Sequence, residues 1–236
     1  MRILFDNEAL VASITSYYES ANYPASNIIH PFLMKRYQAT ADTDTITLTF
    51  DTEFSASCIF YGFTNATSLI IKFYDVLDNL LYTETISDPQ QRDSAYFTQV
   101  DDISYIEIEI TTDMIAIYLG GFAVGIEFAL PDPVADWSDA PVDNSDISDS
   151  PGGQTLVNKF DPLDAHVFNF RDIVRNTAIA IRDAGKDVGA GGHIWIDAFE
   201  EDHDFMQPMY ATLRGMIALT KDGRNYNLSI PVQESR

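Results

Sequence analysis

The stretch "DAFEEDHD", residues 197 to 204, is the densest collection of potential metal ligands in the chain. Asp197, Glu200, Glu201, Asp202 and Asp204 offer hard oxygens for Ca²⁺, and His203 adds a nitrogen suited to a transition metal. A metal-assisted hydrolase would have to be built here. The spacing matches neither an EF-hand loop nor a His-Glu-x-x-His helix. It reads as an exposed charged loop after a strand, and no metal is expected. Glu107 and Glu109 lie two apart, so on a strand they share one face at about 7 Å. Glycosidases place paired carboxylates at about this separation or slightly more, but these two alternate with Ile106, Ile108 and Ile110 as an ordinary solvated face. "GKDVGAGGH", residues 185 to 193, follows a helical pattern and precedes a strand, the reverse of a dinucleotide fingerprint, and it lacks the Lys-Ser/Thr ending of a phosphate loop. Its glycines end a helix and turn the chain, with Gly185 the expected terminator. With no Gly-x-Ser-x-Gly elbow either, no catalytic residue and no cofactor is expected, and the chain is read as a non-enzyme.

Recognition chemistry is better represented. Around "SANYPASNIIHPFLMKRYQAT", residues 20 to 40, Tyr17, Tyr18, Tyr23, Arg36 and Tyr37 offer aromatic faces and donors on which a sugar could stack and bond. The competing reading has Tyr23-Pro24 and Ile28-Ile29 plugging one end of a sandwich with no ligand. A second candidate surface consists of Arg171, Arg175 and Arg182, spaced four and seven apart on the outer face of an expected helix, together with Trp137. In a chain of net charge −22 such cations stand out as an interface with a neighbouring subunit. That charge argues against nucleic acid and anionic membranes, and favours cations or partners with basic faces. Cys58 is the lone cysteine, so no internal disulfide is possible, and its apolar setting in "CIFYGF" makes it a small buried hydrophobe. No apolar run approaches the length of a membrane helix. "MRILFDNEAL" has no signal-peptide h-region, so folding is expected to begin in the cytoplasm.

These groups must be held by strands. "ITLTF" places Ile46, Leu48 and Phe50 on one face; "YIEIEIT" does so with the three isoleucines, and "FAVGIEF" with Phe122, Val124, Ile126 and Phe128. "IIKFYDVLDNLLYTETI" reads as a hairpin around a two-residue turn at Asp78-Asn79. Many short strands and almost no helix give a β-sandwich over residues 1–130. Residues 131–153 hold four prolines, six aspartates and no basic residue, a linker or an extended arm that orders only against neighbours. Residues 154–236 read as a small α+β domain. Its strands are "AHVFNF", "HIWIDAF", "GMIALT" and "NYNLSIPV", with an Asp222-Gly223 turn between the last two. One helix carries Ile173, Val174, Thr177, Ala178 and Ile181 on its buried face.

The order of these pieces resembles galactose-binding-like (discoidin or coagulation-factor C type) β-sandwich, or jelly-roll, modules. "YPASNII" precedes a loop, "ITLTFD" follows, and a late "ISYIEIEI" leads to a final strand, over about residues 10–128. Where that family usually carries an acidic residue after the "N-I" step and a tryptophan a few residues on, this chain has His30 and Tyr37. The structural calcium associated with that acid is therefore not expected. Followed by "GGHIWID" and the terminal "YNLSIPVQES", the whole resembles bacteriophage tail proteins that join such a sandwich to a small tail-ring domain. That resemblance implies a structural virion component of a tail tip, baseplate or ring. It would pack against other tail proteins and further copies of itself after assembly in the host cytoplasm. The alternative it leaves is a carbohydrate-binding module that holds a glycan, such as one on a host surface, in its sandwich loops.

Overall fold

The computed structural model describes residues 1–30, 35–90, 92–131, 133, 138–142, 146–149, 155–158, 163–198 and 206–235. They are mainly β, as expected, and divide into two compact units: Met1–Leu130 with Ile194–Met209, and Pro131–His193 with Tyr210–Ser235.

The first unit contains β1 (Arg2–Leu4), β2 (Ser13–Ser16), β3 (Tyr37–Gln38), β4 (Thr43–Gly62), β5 (Ser68–Tyr74), β6 (Leu80–Ser87), β7 (Arg92–Thr111), β8 (Tyr118–Leu119), β9 (Gly121–Gly125) and β10 (Phe128–Ala129). The main antiparallel sheet runs β2-β4-β7-β5-β6, with β9 also on β4. Period-two patterning explains its inner face: Ile46, Leu48, Phe50, Ile106, Ile108, Ile110, Leu69, Ile71 and Phe73 are all buried. β4 and β7 are each 20 residues long, and their register shifts between Thr49 and Cys58. Extra residues in a ladder bend the strands and raise their twist. The first half of β4 therefore pairs with β2 while the second half pairs with β9, and one strand serves both walls of the sandwich. The "CIFYGF" run sits in that second half with Cys58 buried, and burial pushes its thiol up.

"FAVGIEF" is not one strand. β9 ends at Gly125, Ile126 is 47% exposed, and Phe128 starts β10, which pairs with β1. Gly125 is required by close approach: a Cβ there would lie 2.7 Å from the Asp6 carbonyl oxygen. The β5–β6 connection is also longer than a two-residue turn. It spans Asp75 to Asn79, with Asp78 in the left-handed region at φ 63°. Asp75 closes it by accepting from the backbone N–H groups of Leu77 and Asn79 and from the Asn79 amide, at 2.8 to 2.9 Å. These bonds, led by the Asn79 side chain, hold its carboxyl below the ordinary aspartate value of 3.8. A depressed folded-state value stabilises above the unfolded one and is lost as pH falls through the folded one. Thermal melts from pH 7 to pH 2.5 should therefore show a wild-type advantage over Asp75→Ala that is full above about pH 5 and shrinks below 3.8. An advantage constant across that range would contradict this assignment.

In the second unit, two stretches of the Asp/Pro-rich segment form strands, β11 (Ser138–Val142) and β12 (Asp146–Asp149). β12 pairs with β13 (Thr155–Asn158) and β11 with β14 (Leu163–Ile173), so this segment orders against its own chain and is not a free linker. The helix α1 (Arg175–Val188) follows, then β15 (His193–Asp197), β16 (Met209–Leu213), β17 (Ala218–Asp222) and β18 (Asn225–Glu234). β18 is central, flanked by β14 on one side and by β16 and β17 on the other. A two-residue turn, Gly223-Arg224 with Gly223 at φ 59°, joins β17 to β18. α1 packs on β17 and β18 through Ala178, Ile181 and Gly185. Two expectations fail here. Ile173 ends β14 and Val174 is 64% exposed, so the helix starts later than its pattern suggests. Gly185 does not terminate it; a Cβ there would meet Ile217 Cδ1 at 2.4 Å, and the stop comes at Gly189, φ 77°.

β15 departs from the rest of the C-terminal sequence. Its residues from Ile194 belong to the first unit, where Ile196 pairs with Ile3 and Trp195 with Leu4. Trp195 is buried against Phe60, with ring centroids 5.7 Å apart.

Candidate functional site

At one end of the sandwich, the last residues of β7, the first of β4 and the two residues after β2 line an open cleft of about 340 Å³. The lining is Tyr17, Tyr18, Thr43, Asp44, Thr45, Glu109, Ile110 and Thr111. Register brings them together: Thr43 pairs with Thr111, Asp44 with Ile110, Thr45 with Glu109, and Ser16 with Ile46.

Asp44 has the inward parity of Ile46, Leu48 and Phe50, so it points into the sandwich where the apolar row ends, and is only 6% exposed. Three neutral donors satisfy it. Its Oδ2 accepts from Ser16 Oγ at 2.5 Å and from the Tyr37 hydroxyl, and its Oδ1 from the Thr45 N–H at 2.8 Å. Burial, then the bond to Asp44, pushes the Tyr37 phenol well above its ordinary range, so it remains a donor. Thr43, Thr45 and Glu109 have the opposite parity and face outward. Glu109 takes a 2.5 Å contact from Lys72 Nζ, which keeps the lysine's proton more firmly bound than usual. Above the cleft Tyr17 is 85% exposed, and its ring meets that of Tyr18 edge to face, centroids 4.7 Å apart. Thr40 fixes that turn by donating both its N–H and its hydroxyl to the Tyr18 carbonyl.

Of the five residues nominated for a ligand, Tyr17 and Tyr18 line this cleft. Tyr37 does not offer a face. It is completely buried, and its hydroxyl is spent on Asp44 and Ser16. Tyr23 is partly exposed outside the cleft lining, and Arg36 lies over the Tyr118 ring at 4.3 Å. The plugging role falls to Ile28, buried in a 3-10 helix over Ala25–Ile29. The arginine stripe is divided. Arg171 belongs to β14, Arg175 opens α1, and Arg182 donates twice to Asp183 Oδ1, at 3.0 and 2.8 Å. Trp137 lies outside the described residues.

The acidic stretch from 197 is also unlike its expectation at its first residue. Asp197 is fully buried, accepting from Ser94 Oγ at 2.8 Å and the Tyr96 hydroxyl at 2.9 Å. Residues 199–205 lie outside the described residues. Among the described residues no group of three or more His, Cys, Asp or Glu side chains could hold a metal ion. Sequence reasoning missed Asp44, Thr43 and Thr45, and it weighed Glu109 only with Glu107 as a catalytic pair, set aside as a solvated strand face. The available signal was Asp44, an acid in register with the apolar row of "DTITLTF".

Solved structures that this chain is similar to include sugar-binding modules and a GH29 fucosidase of Ruminococcus gnavus, each aligned over about half of this chain and, for the fucosidase, over 26% of that one. One is the lectin domain of lectinolysin in complex with Lewis B antigen (TM-score 0.45, 10% identity, 50% of this chain and 95% of that one). Another is a fucose-binding module of Streptococcus pneumoniae (TM-score 0.45, 13% identity, 51% and 94%). A third is chitosan-binding module 1 from the chitosanase/glucanase of Paenibacillus sp. IK-5 (TM-score 0.43, 20% identity, 50% and 98%). No protein-family model matches the chain, and no curated protein matches it in sequence.

Proposed function

We propose that the first unit is a carbohydrate-binding module that holds a glycan in the Tyr17–Tyr18 cleft and does no chemistry on it. The observation that carries this reading is an exposed, edge-to-face tyrosine pair beside a cleft lined by fixed acceptors and hydroxyls. A pyranose presents an apolar C–H face and a rim of hydroxyls. Aromatic rings take the first, and carboxylates, which only accept, take the second. Glu109, held by Lys72, is set to accept before a ligand arrives, and Asp44, satisfied by its three donors, fixes the floor of the cleft. Tail assembly, the other reading of the sequence, draws on Trp137 and on arginines that divide between a strand and the helix.

A glycan array followed by titration calorimetry tests the proposal. Wild type should retain at least one glycan, Tyr17→Ala should weaken it about tenfold or more, about 1.4 kcal/mol, and Tyr23→Ala should leave it unchanged. A blank array, or equal loss in the two variants, overturns this site.

A further inference from the structure

We infer that the cleft selects sugars bearing a free, protonated amine over their N-acetylated and acidic counterparts. This rests on the cleft being a sugar site, and the selection is one of charge. Two carboxylates line the cleft, Asp44 and Glu109, and no basic side chain does. All three donors that Asp44 accepts from are neutral: a hydroxyl, a phenol and a backbone N–H. They satisfy its lone pairs without cancelling its charge, and in a buried position that charge is poorly screened. Lys72 reaches Glu109 from β5 and pairs with it, so the uncancelled charge lining the cleft is that of Asp44. Glu19 lies close enough to add to the field felt by the Tyr37 phenol. The net charge of −22 extends the same sign beyond the cleft.

An ammonium group entering here gains the field of Asp44, can displace Lys72 as the partner of Glu109, and can lie against the exposed Tyr17 ring, whose face attracts cations. An N-acetyl group presents no charge, and a uronate brings the wrong one. The chain thus discriminates by repulsion as well as attraction.

The test is calorimetric titration of the full chain with glucosamine oligomers, N-acetylglucosamine oligomers of the same length, and oligogalacturonate, each at low and at high salt. Glucosamine oligomers should bind about tenfold more tightly than the acetylated series, with no detectable uronate binding. The preference should shrink but persist in about 1 M salt, where the screening length is about 3 Å, because the surrounding surface charge is screened and the buried Asp44 is not. Glu109→Gln should reduce the preference while leaving the melting temperature within a few degrees of wild type. Equal or tighter binding of the acetylated or acidic oligomers overturns the charge selection and leaves the cleft a sugar site. So does an array showing a neutral glycan while glucosamine oligomers are silent. If no glycan binds in either experiment, both readings fall.

Discussion

Trp195→Ala should cost about 3–5 kcal/mol of stability in the first unit, although residue 195 lies far beyond its last N-terminal strand. The indole is 2% exposed and packs on Phe60, itself completely buried. Gly62 is part of the same contact, since a Cβ there would lie 3.6 Å from the far edge of the indole. Removing so large a ring leaves a cavity between β15 and β4 that surrounding strands cannot collapse to fill, because their ladders fix their spacing. The measurement is hydrogen exchange in urea. Protection across residues 1–130 should fall in the variant together with that of Ile194–Asp197. If only the second unit lost protection, β15 would not be an integral strand of the first.

Asp44→Ala should cost about 1–3 kcal/mol, since it removes the shared acceptor of the Tyr37 and Ser16 hydroxyls, of which only one can still donate to the other. Tyr37 makes this severe: its ring is completely enclosed and cannot turn its hydroxyl to water. Asp44→Asn keeps the shape and one acceptor oxygen and should recover part of the loss. Urea denaturation of the three proteins decides it. A stable alanine variant would mean that the carboxylate does not organise the cleft floor. Glycan binding by the asparagine variant then separates the charge from the scaffold: a folded protein with a preserved cleft but weaker affinity for cationic sugars is the expected result.

The half-buried strands were legible because their period is two: Ile46 and Leu48, or Ile106, Ile108 and Ile110, declare a face without reference to anything distant. Three other kinds of feature were not. The bend in β4 depends on how its middle residues register against β7, and no local pattern announces a bulge. The place of β15 was hidden because "HIWID" says only that it is a strand, while its partner is Arg2–Leu4 at the other end of the chain. Exposure within the tyrosine-rich stretch was hidden too. Tyr17 and Tyr37 are the same residue type in similar polar company, yet one projects into solvent and the other is sealed by tertiary packing. The helix was found, but its stop was misplaced by four residues because Gly185 serves close packing against Ile217, not termination. For the lining of the cleft, Tyr17 and Tyr18 stood in the sequence as candidate aromatics, and its acids did not stand out. Asp44 and Glu109 each look like ordinary strand residues until register sets them beside Tyr17.

The pairing of Arg2–Leu4 with β15 also imposes a schedule on biosynthesis. A ribosome adds about 5–20 residues per second. β1 therefore waits roughly ten to forty seconds for Trp195 and Ile196 to be made. The apolar flank of β1 stands uncovered throughout that interval, and Phe60 from the time it is made, offering a hold to a chaperone or to another unfinished chain. Translation products truncated before β15 should accordingly be sticky, and those that include it should not.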